Sequence, residues 1–411
     1  MQMNDNIKVP DGWKRVRLGK IADIKTGNSN VEDAIDNGLY PLFDRSLQVK
    51  RSNKYLFDTE AVIIPGEGSD FCPKYYNGKF DLHQRAYAIF NYKGLDGKYL
   101  FYAMHKENIQ LIKHSVGTTV ISLRLPNFQN LFISLPPLSE QKKIAEILET
   151  VDRAIEKTGK IIEKYKRIKQ GLMQDLLTKG IDKNGKIRSE KKHKFKNSPL
   201  GRIPGEWEVV RLGEVVDFRL SNVDKKIFDR EKKVLLCNYL EVYQNDYITK
   251  KLNFMVGSAD NIEIEKFKIS KGDVIITKDS EEFNDIAKSA YVRDEIDNLV
   301  CGYHLALLKV KDNIEGFFLS RILAFPSINI HFQKQANGIT RFGITKGTVE
   351  NALIPLPPLP EQKRIAEILS QIDNTIEKEE AYKQKLERIK KGLMEDLLTG
   401  RVRVNKLIKE E

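Results

Sequence analysis

Residues 134–152 read SLPPLSEQKKIAEILETVD, and residues 355–373 read PLPPLPEQKRIAEILSQID. The offset is 221. It holds without a gap to GLMQDLLT (171–178) against GLMEDLLT (392–399). Between 134 and 178, 27 of 45 positions are identical in the two stretches, far too many for chance, so the chain holds two copies of one unit. The copies also share their openings: Trp13 with VRLG (16–19) matches Trp207 with VRLG (210–213), now at an offset of 194. The second copy is therefore 27 residues longer between its opening and its LPPL, and little else in that interval aligns. A duplicated frame around diverged inserts suggests two different readings of similar ligands. Plain duplication with drift is the alternative, but drift should have altered the helix surfaces as much.

A long helix pattern follows each LPPL. Ile144, Leu148, Val151, Ile155, Thr158, Ile162 and Tyr165 recur in steps of four and three, and Leu172 and Leu176 continue the stripe. Ile365, Leu369, Ile372, Ile376, Leu386, Leu393 and Leu397 repeat the rhythm. An apolar a/d stripe flanked by Lys and Glu marks a coiled-coil seam. Pro136 and Pro137 fix the first start near Ser139–Glu140; Pro357, Pro358 and Pro360 fix the second, and Gly180 and Gly400 fit as stops. Each helix of about 39 residues would be roughly 58 Å long. That is a rod, and its most economical partner is the other copy, as in a dimer fused into one chain. An antiparallel pair places one globular domain at each end. Pairing between separate chains is the competing arrangement.

The 411 residues suggest two to four structural units, with 41% hydrophobic residues to build cores. No run of about 18 uncharged apolar residues suits a membrane span, and the N-terminus has no signal-like apolar stretch. Cys72, Cys237 and Cys301 stand far apart and form no CxxC, so a cytoplasmic protein without a metal centre is expected. The formal charge is +12. Residues 179–202 hold nine Lys/Arg against two Asp/Glu, residues 11–134 hold 17 against 13, and residues 207–355 hold 21 against 22. Most of the excess lies in one polar stretch, so charge alone does not establish nucleic-acid binding.

The expected organisation is a first globular domain (1–134), a helix (135–179), a basic linker (180–206), a second globular domain (207–355), a second helix (356–400) and a tail (401–411). Both globular segments carry short strand-like runs, such as AVIIP (61–65), YAIF (87–90), VIIT (274–277) and LALLKV (305–310). They read as α+β domains rich in sheet. Polar and aromatic residues able to read base edges or hold phosphate gather at expected turns. In the first domain the candidates are Arg45, Lys50, Arg51, Lys54, Lys74, Tyr76, Gln84, Arg85, Lys113, Thr118 and Thr119. In the second they are Lys225, Lys226, Lys278, Ser280, His304, Lys334, Gln335, Asn337, Thr340 and Arg341. Gly117-Thr118-Thr119 and Gly338-Ile339-Thr340 stand at the 221 offset, which extends the frame back to a glycine turn. Such a turn suits close approach to phosphate, or simply a tight bend.

Signatures of catalysis are missing. There is no Walker A sequence, no GxGxxG after a strand, no Asn-Pro-Pro-aromatic motif for a flipped base, no HExxH and no zinc-deaminase pattern. Glu67 in PGEGSD and Asp279 in TKDSE could be imagined as catalytic acids or nuclease ligands, but turn formation and surface charge explain them better. The chain reads as a binder.

The order variable domain, LPPLxEQKxIAEIL helix, variable domain, LPPLxEQKxIAEIL helix resembles the specificity subunit of a Type I restriction–modification system. The resemblance spans nearly the whole chain, and FDRS (43–46) with GKFDLHQR (78–85) agrees with it. It implies two target recognition domains, each reading half of a split double-stranded DNA site. It also implies a pair of antiparallel spacer helices with Ile144, Leu148, Val151, Ile155, Ile162, Ile365, Leu369, Ile372, Ile376 and Leu386 in their seam. By the same resemblance, the helices dock two methyltransferase subunits that carry S-adenosylmethionine, and separate motor-nuclease subunits use ATP and Mg. This chain would hold no cofactor, metal or catalytic residue. Two other readings stand beside it. A DNA-modifying enzyme with a divergent nuclease or methyltransferase site would methylate with S-adenosylmethionine alone. A coiled-coil scaffold that binds only proteins would give no DNA footprint.

Overall fold

The structure is a computed structural model. It describes residues 9–68, 71–114 and 121–408, with only the backbone at 109, 110, 113 and 114. Lys113 (beyond its backbone), Thr118 and Thr119 therefore lie outside the described residues. The chain divides into two compact units, one of residues 1–161 with 379–411 and one of residues 162–378. Two helices dominate the chain, Leu138–Thr178 and Leu359–Leu398, and each gives its first part to one unit and its last part to the other. Among the described residues no helix is long and apolar enough to cross a membrane.

The first unit holds a six-stranded sheet in the order 23–26, 86–90, 57–65, 74–82, 40–43, 50–52. Its central strand shows why AVIIP is apolar throughout. Val62 and Ile64 enter the core on one face, with Tyr99, Leu100 and Phe128, while Ala61 and Ile63 enter a second core on the other, with Phe80, Leu82 and Phe43. A strand covered on both sides loses the alternation of a half-exposed one. The second unit has a five-stranded sheet in the order 216–220, 305–310, 274–277, 289–292, 247–248, and a three-stranded sheet of 255–259, 232–237 and 299–301. VIIT is likewise split: Val274 and Ile276 face one core, Ile275 the other.

The repeated frame folds alike in both units. Lys14–Arg17 pairs antiparallel with Phe132–Leu135, and Glu208–Arg211 pairs with Leu353–Leu356, in the same register. The long helices begin at Leu138 and Leu359, so Pro360 sits inside the first turn, where a missing N–H costs nothing. Ile144, Ala145 and Leu148 then enter the first domain's core, together with Leu397 and Leu398 from the end of the other helix. In the second unit Ile365, Ala366 and Leu369 do the same beside Leu176 and Leu177. The outer residues of the expected seam are thus domain core. Farther along, Ile162, Ile376 and Leu386 are buried, while Val151, Ile155 and Ile372 are half-buried.

In each unit the helix segments run antiparallel. Lys390 binds Asp152 at 2.6 Å in the first unit, and Lys169 binds Asp373 at 2.6 Å in the second. These are the same two repeat positions, 221 residues apart, with the helices exchanging roles. Each aspartate also accepts a tyrosine hydroxyl from its own globular domain, Tyr102 to Asp152 and Tyr247 to Asp373.

The ends are clasped in the same reciprocal way. Glu140 is 1% exposed and accepts from the Trp13 indole at 3.0 Å and from Arg403, which follows the second helix, at 2.8 Å. Glu361 accepts from the Trp207 indole at 3.2 Å and from Arg188, which follows the first helix, at 3.0 Å. Burial would raise the Glu140 pKa, but hydrogen bonds from Arg403 and Trp13 hold it below its ordinary value. Gly180 and Gly400 end the helices at φ +61° and +70°. A β-carbon on Gly180 would lie 2.4 Å from the Trp207 ring, and one on Gly400 would lie 2.4 Å from Pro10. Glycine is needed here both for backbone conformation and for close approach.

Gln141 and Gln362 complete the Glu-Gln pair of the motif. Each donates to a domain carbonyl (Gly94, Asn313) and to the proline carbonyl before its helix (Pro136, Pro357). Each also accepts a backbone N–H from the domain, at Asp96 or Glu315. Segment 180–206, expected as a linker, is folded: it carries the hairpin 195–198/201–204 and the 5%-exposed Arg188. In the expected tail, Arg403 and the buried Val404 belong to the first unit.

Candidate nucleic-acid interface

Strand 40–43 lies parallel to the end of 74–82, with Leu42 opposite Asp81 and Phe43 opposite Leu82. The loops that leave both strands, DRS and HQR, therefore emerge side by side. A third loop joins them: Ser29 donates to the buried Asp81 at 2.8 Å and bridges His83. The approach is so close that a β-carbon on Gly27 would lie 1.8 Å from the Leu82 carbonyl oxygen. The result is a cleft of about 290 Å³ lined by Val31, Asp44, Arg45, Glu67, His83, Gln84 and Arg85.

Asp44 is buried and accepts from Ser46 N at 2.8 Å and Lys50 at 2.8 Å. Burial opposes its charge, but Lys50 and Ser46 outweigh it and lower the pKa. Burial lowers the His83 pKa, and Arg85, Lys50 and Arg45 add to this against Asp44. Lys74 donates to the Ser46 carbonyl and so braces the same loop. Gln84 donates to Asn30, and Arg85 pairs with Glu67. Arg45, Lys50, Lys74, Gln84 and Arg85 are thus drawn together. Other candidates have different duties. Arg51 donates to the Gly38 and Leu39 carbonyls at 2.9 and 3.0 Å, Lys54 pairs with Asp33 at 3.4 Å, and Tyr76 packs on Phe43 and Phe80.

The second domain assembles a corner from TKDSE and CGYH. His304 meets Asp279 at 2.8 Å between Nδ1 and Oδ2, and Arg341 stands 3.9 Å from the other carboxylate oxygen. Lys278 donates to the Ser221 carbonyl at 3.0 Å and lies 4.4 Å over the Tyr303 ring, which contacts His304 edge-on. Burial lowers the Lys278 pKa against the pull of Asp279. The neighbouring cleft, about 380 Å³, is lined by Tyr239, Tyr243, Asp279, Ser280, Glu281, Glu282, Asp285 and Arg341. Ser280 is buried and accepts from the Glu282 N–H at 3.2 Å. Asn337 and Gly343 exchange backbone hydrogen bonds around a tight turn. Gly338 has φ +148° there, and a β-carbon would lie 1.9 Å from the Arg341 carbonyl oxygen. This turn exposes Thr340 and Ile339, the latter 95% accessible. Lys225 and Lys226 are exposed on the loop before strand 232–237, and Lys334 and Gln335 at the end of helix Pro326–Gln335.

The two corners are one place in one fold. Pro65 pairs with Ala86 in the first sheet and Thr277 with Leu305 in the second. The next residues repeat a backbone bond, Gly66 N to Arg85 O at 2.7 Å and Lys278 N to His304 O at 3.1 Å. Then Glu67 bridges Ser122, and Asp279 pairs with Gly343. Glu67 and Asp279 are therefore equivalent, as are Arg85 and His304. Residue-by-residue alignment could not find this, because the offset between copies grows from 194 at Trp13, to 212 at Val62 and Val274, to 219 at Ala86 and Leu305, to 221 at Ser122 and Gly343.

Two sheet-rich domains on a repeated frame, each tied to two antiparallel helix segments, define a class of duplicated recognition subunits. The model of the Type I restriction modification DNA specificity domain matches residues 10–166 and 204–388, and the chain belongs to that family. It is 29% identical over 417 residues to the Type I restriction enzyme MjaVIII specificity subunit of Methanocaldococcus jannaschii, covering 98% of this chain and 95% of that one. A putative Type I restriction enzyme MjaX specificity subunit of the same organism is 31% identical over 346 residues, 80% of this chain and 74% of that one. The S subunit of a Type I restriction-modification system from M. genitalium shares the fold, with a TM-score of 0.64, 16% identity, and coverage of 97% of this chain and 98% of that one.

Proposed function

We propose that this chain is the DNA sequence-recognition subunit of a Type I restriction–modification complex, its two globular domains reading the two halves of a split site. The observation that carries this reading is the shared corner: one backbone arrangement furnished with Glu67, Arg85 and Gln84 in one domain and with Asp279, His304 and Tyr303 in the other. A conserved scaffold with exchanged polar side chains is what two readers of different base sequences require. The exposed helix faces would dock methyltransferase subunits as added helices of a bundle, and the helix pair would fix the spacing of the half-sites. S-adenosylmethionine, and ATP with Mg, would sit on the partner subunits, and this chain would supply no catalytic group. DNA footprinting of the assembled complex tests the reading. Two short protected patches are expected; an unprotected duplex would favour a protein-only scaffold. Methylation by the isolated chain with S-adenosylmethionine would favour an enzyme.

A further inference from the structure

We propose that Arg85 and His304 occupy one and the same base-reading position in the two domains, each aimed by the carboxylate beside it, Glu67 or Asp279. This rests on the split-site reading and sharpens it, by naming the position and its chemistry.

Three observations support it. The carboxylate and its partner are set by identical strand register and an identical backbone hydrogen bond, so the pair is a built feature of the fold and not a chance surface contact. Each carboxylate is far more buried than an ordinary surface acid, 20% exposed at Glu67 and 16% at Asp279, while Arg85 is 60% exposed and His304 is half-buried at 26%. Further donors stand at each corner, Arg45 and Gln84 in one and Arg341 and Lys278 in the other, alongside Asp44 in the first and Glu281, Glu282 and Asp285 in the second.

A guanidinium held on one side by a carboxylate presents its remaining N–H groups in a fixed plane. That geometry suits the O6 and N7 acceptors of guanine in the major groove. A neutral imidazole that donates through Nδ1 to the Asp279 carboxylate presents a single nitrogen, Nε2, as an acceptor and can meet only one base donor, such as adenine N6 or cytosine N4. The same position would thus be strict for guanine in one half-site and more permissive in the other. Glu67 and Asp279 act through their partners and are positioning residues.

The test selects duplexes from a randomised DNA pool with the full chain assembled with its methyltransferase subunits, followed by sequencing of what is retained. The wild type is expected to yield two short blocks. Arg85→His should relax one guanine position in one block, and His304→Arg should sharpen one position in the other, leaving the remaining positions and the spacing unchanged. Arg85→Lys keeps the charge but loses the fork, and should cut discrimination at that position by about 5- to 100-fold. Glu67→Gln should soften the same position as Arg85→His and no other. Thermal melting of each variant shows whether it has folded. If folded Arg85→His and His304→Arg proteins select the wild-type blocks, or bind all sequences uniformly more weakly as loss of a phosphate contact would, the shared reading position is wrong while the split-site reading stands. If the wild type selects no pair of blocks, the split-site reading itself is wrong.

Discussion

The two globular domains teach by what they keep and what they change. Kept are the Trp opening, the strand pair that leads into the helix, the Glu-Gln pair at the helix start and the register of the central sheet. Changed are the side chains at the sheet's open corner and the loops around it. The second copy's extra residues fall mainly before strand 274–277, where two strands of its three-stranded sheet, 232–237 and 255–259, lie. The kept parts hold each domain to the helices, and the changed parts face outward. Position in the fold, not distance along the chain, separates the invariant from the variable.

If the frames are equivalent, matched substitutions should have matched costs. Trp207→Ala and Trp13→Ala should each destabilise their unit by about 3–5 kcal/mol in urea unfolding, since both rings are buried. A large effect at only one would break the comparison. The clasps should differ in degree. Arg188→Ala leaves Glu361 uncompensated in a buried site and should cost about 3–5 kcal/mol. Arg403 is 27% exposed, and its loss should cost less, about 1–3 kcal/mol. Equal midpoints for the two variants would contradict that ranking.

Across the helix pairs, Lys169→Met strands the buried Asp373, whereas Lys390→Met leaves Asp152 partly hydrated. About 1–3 and below about 1 kcal/mol are expected, from the same denaturation series. The smallest effect is with pH. The Glu140 pKa is lowered in the folded protein, so its contribution is complete above the unfolded value near pH 4.5 and is lost as pH falls through the folded value. Glu140→Gln should flatten the acid limb of the melting profile below about pH 4.5, and an unchanged acid limb would remove Glu140 as its source.

Much of this was legible in the sequence, and the rest was hidden for definite reasons. The long helices, their stop glycines and the duplicated frame follow from the 221-residue repeat. FDRS and GKFDLHQR drew attention to a loop cluster that the parallel strand pair does assemble. Arg51 looked like a reader because it sits among other cations, yet the local hairpin engages it with its own carbonyls. The polarity and charge of 180–206 read as a linker because nothing local signals that Arg188 finds a buried carboxylate 173 residues away. The equivalence of Glu67 with Asp279 is invisible in one dimension because insertions set their offset of 212 apart from the 194 of Trp13, the 219 of Ala86 and the 221 of Ser122.

The exchange of helix ends also has a consequence for biosynthesis. The first domain is made early, but the unit that contains it is finished only by residues 379 onward. Glu140 emerges long before Arg403, the cation that caps it. At roughly 5–20 residues per second, translation of the intervening stretch occupies on the order of 10–50 s. Throughout that interval the nascent chain carries an uncapped carboxylate and a half-covered leucine ridge at Ile144 and Leu148. The second unit, whose pieces are contiguous from 162 to 378, meets no such delay and can close first.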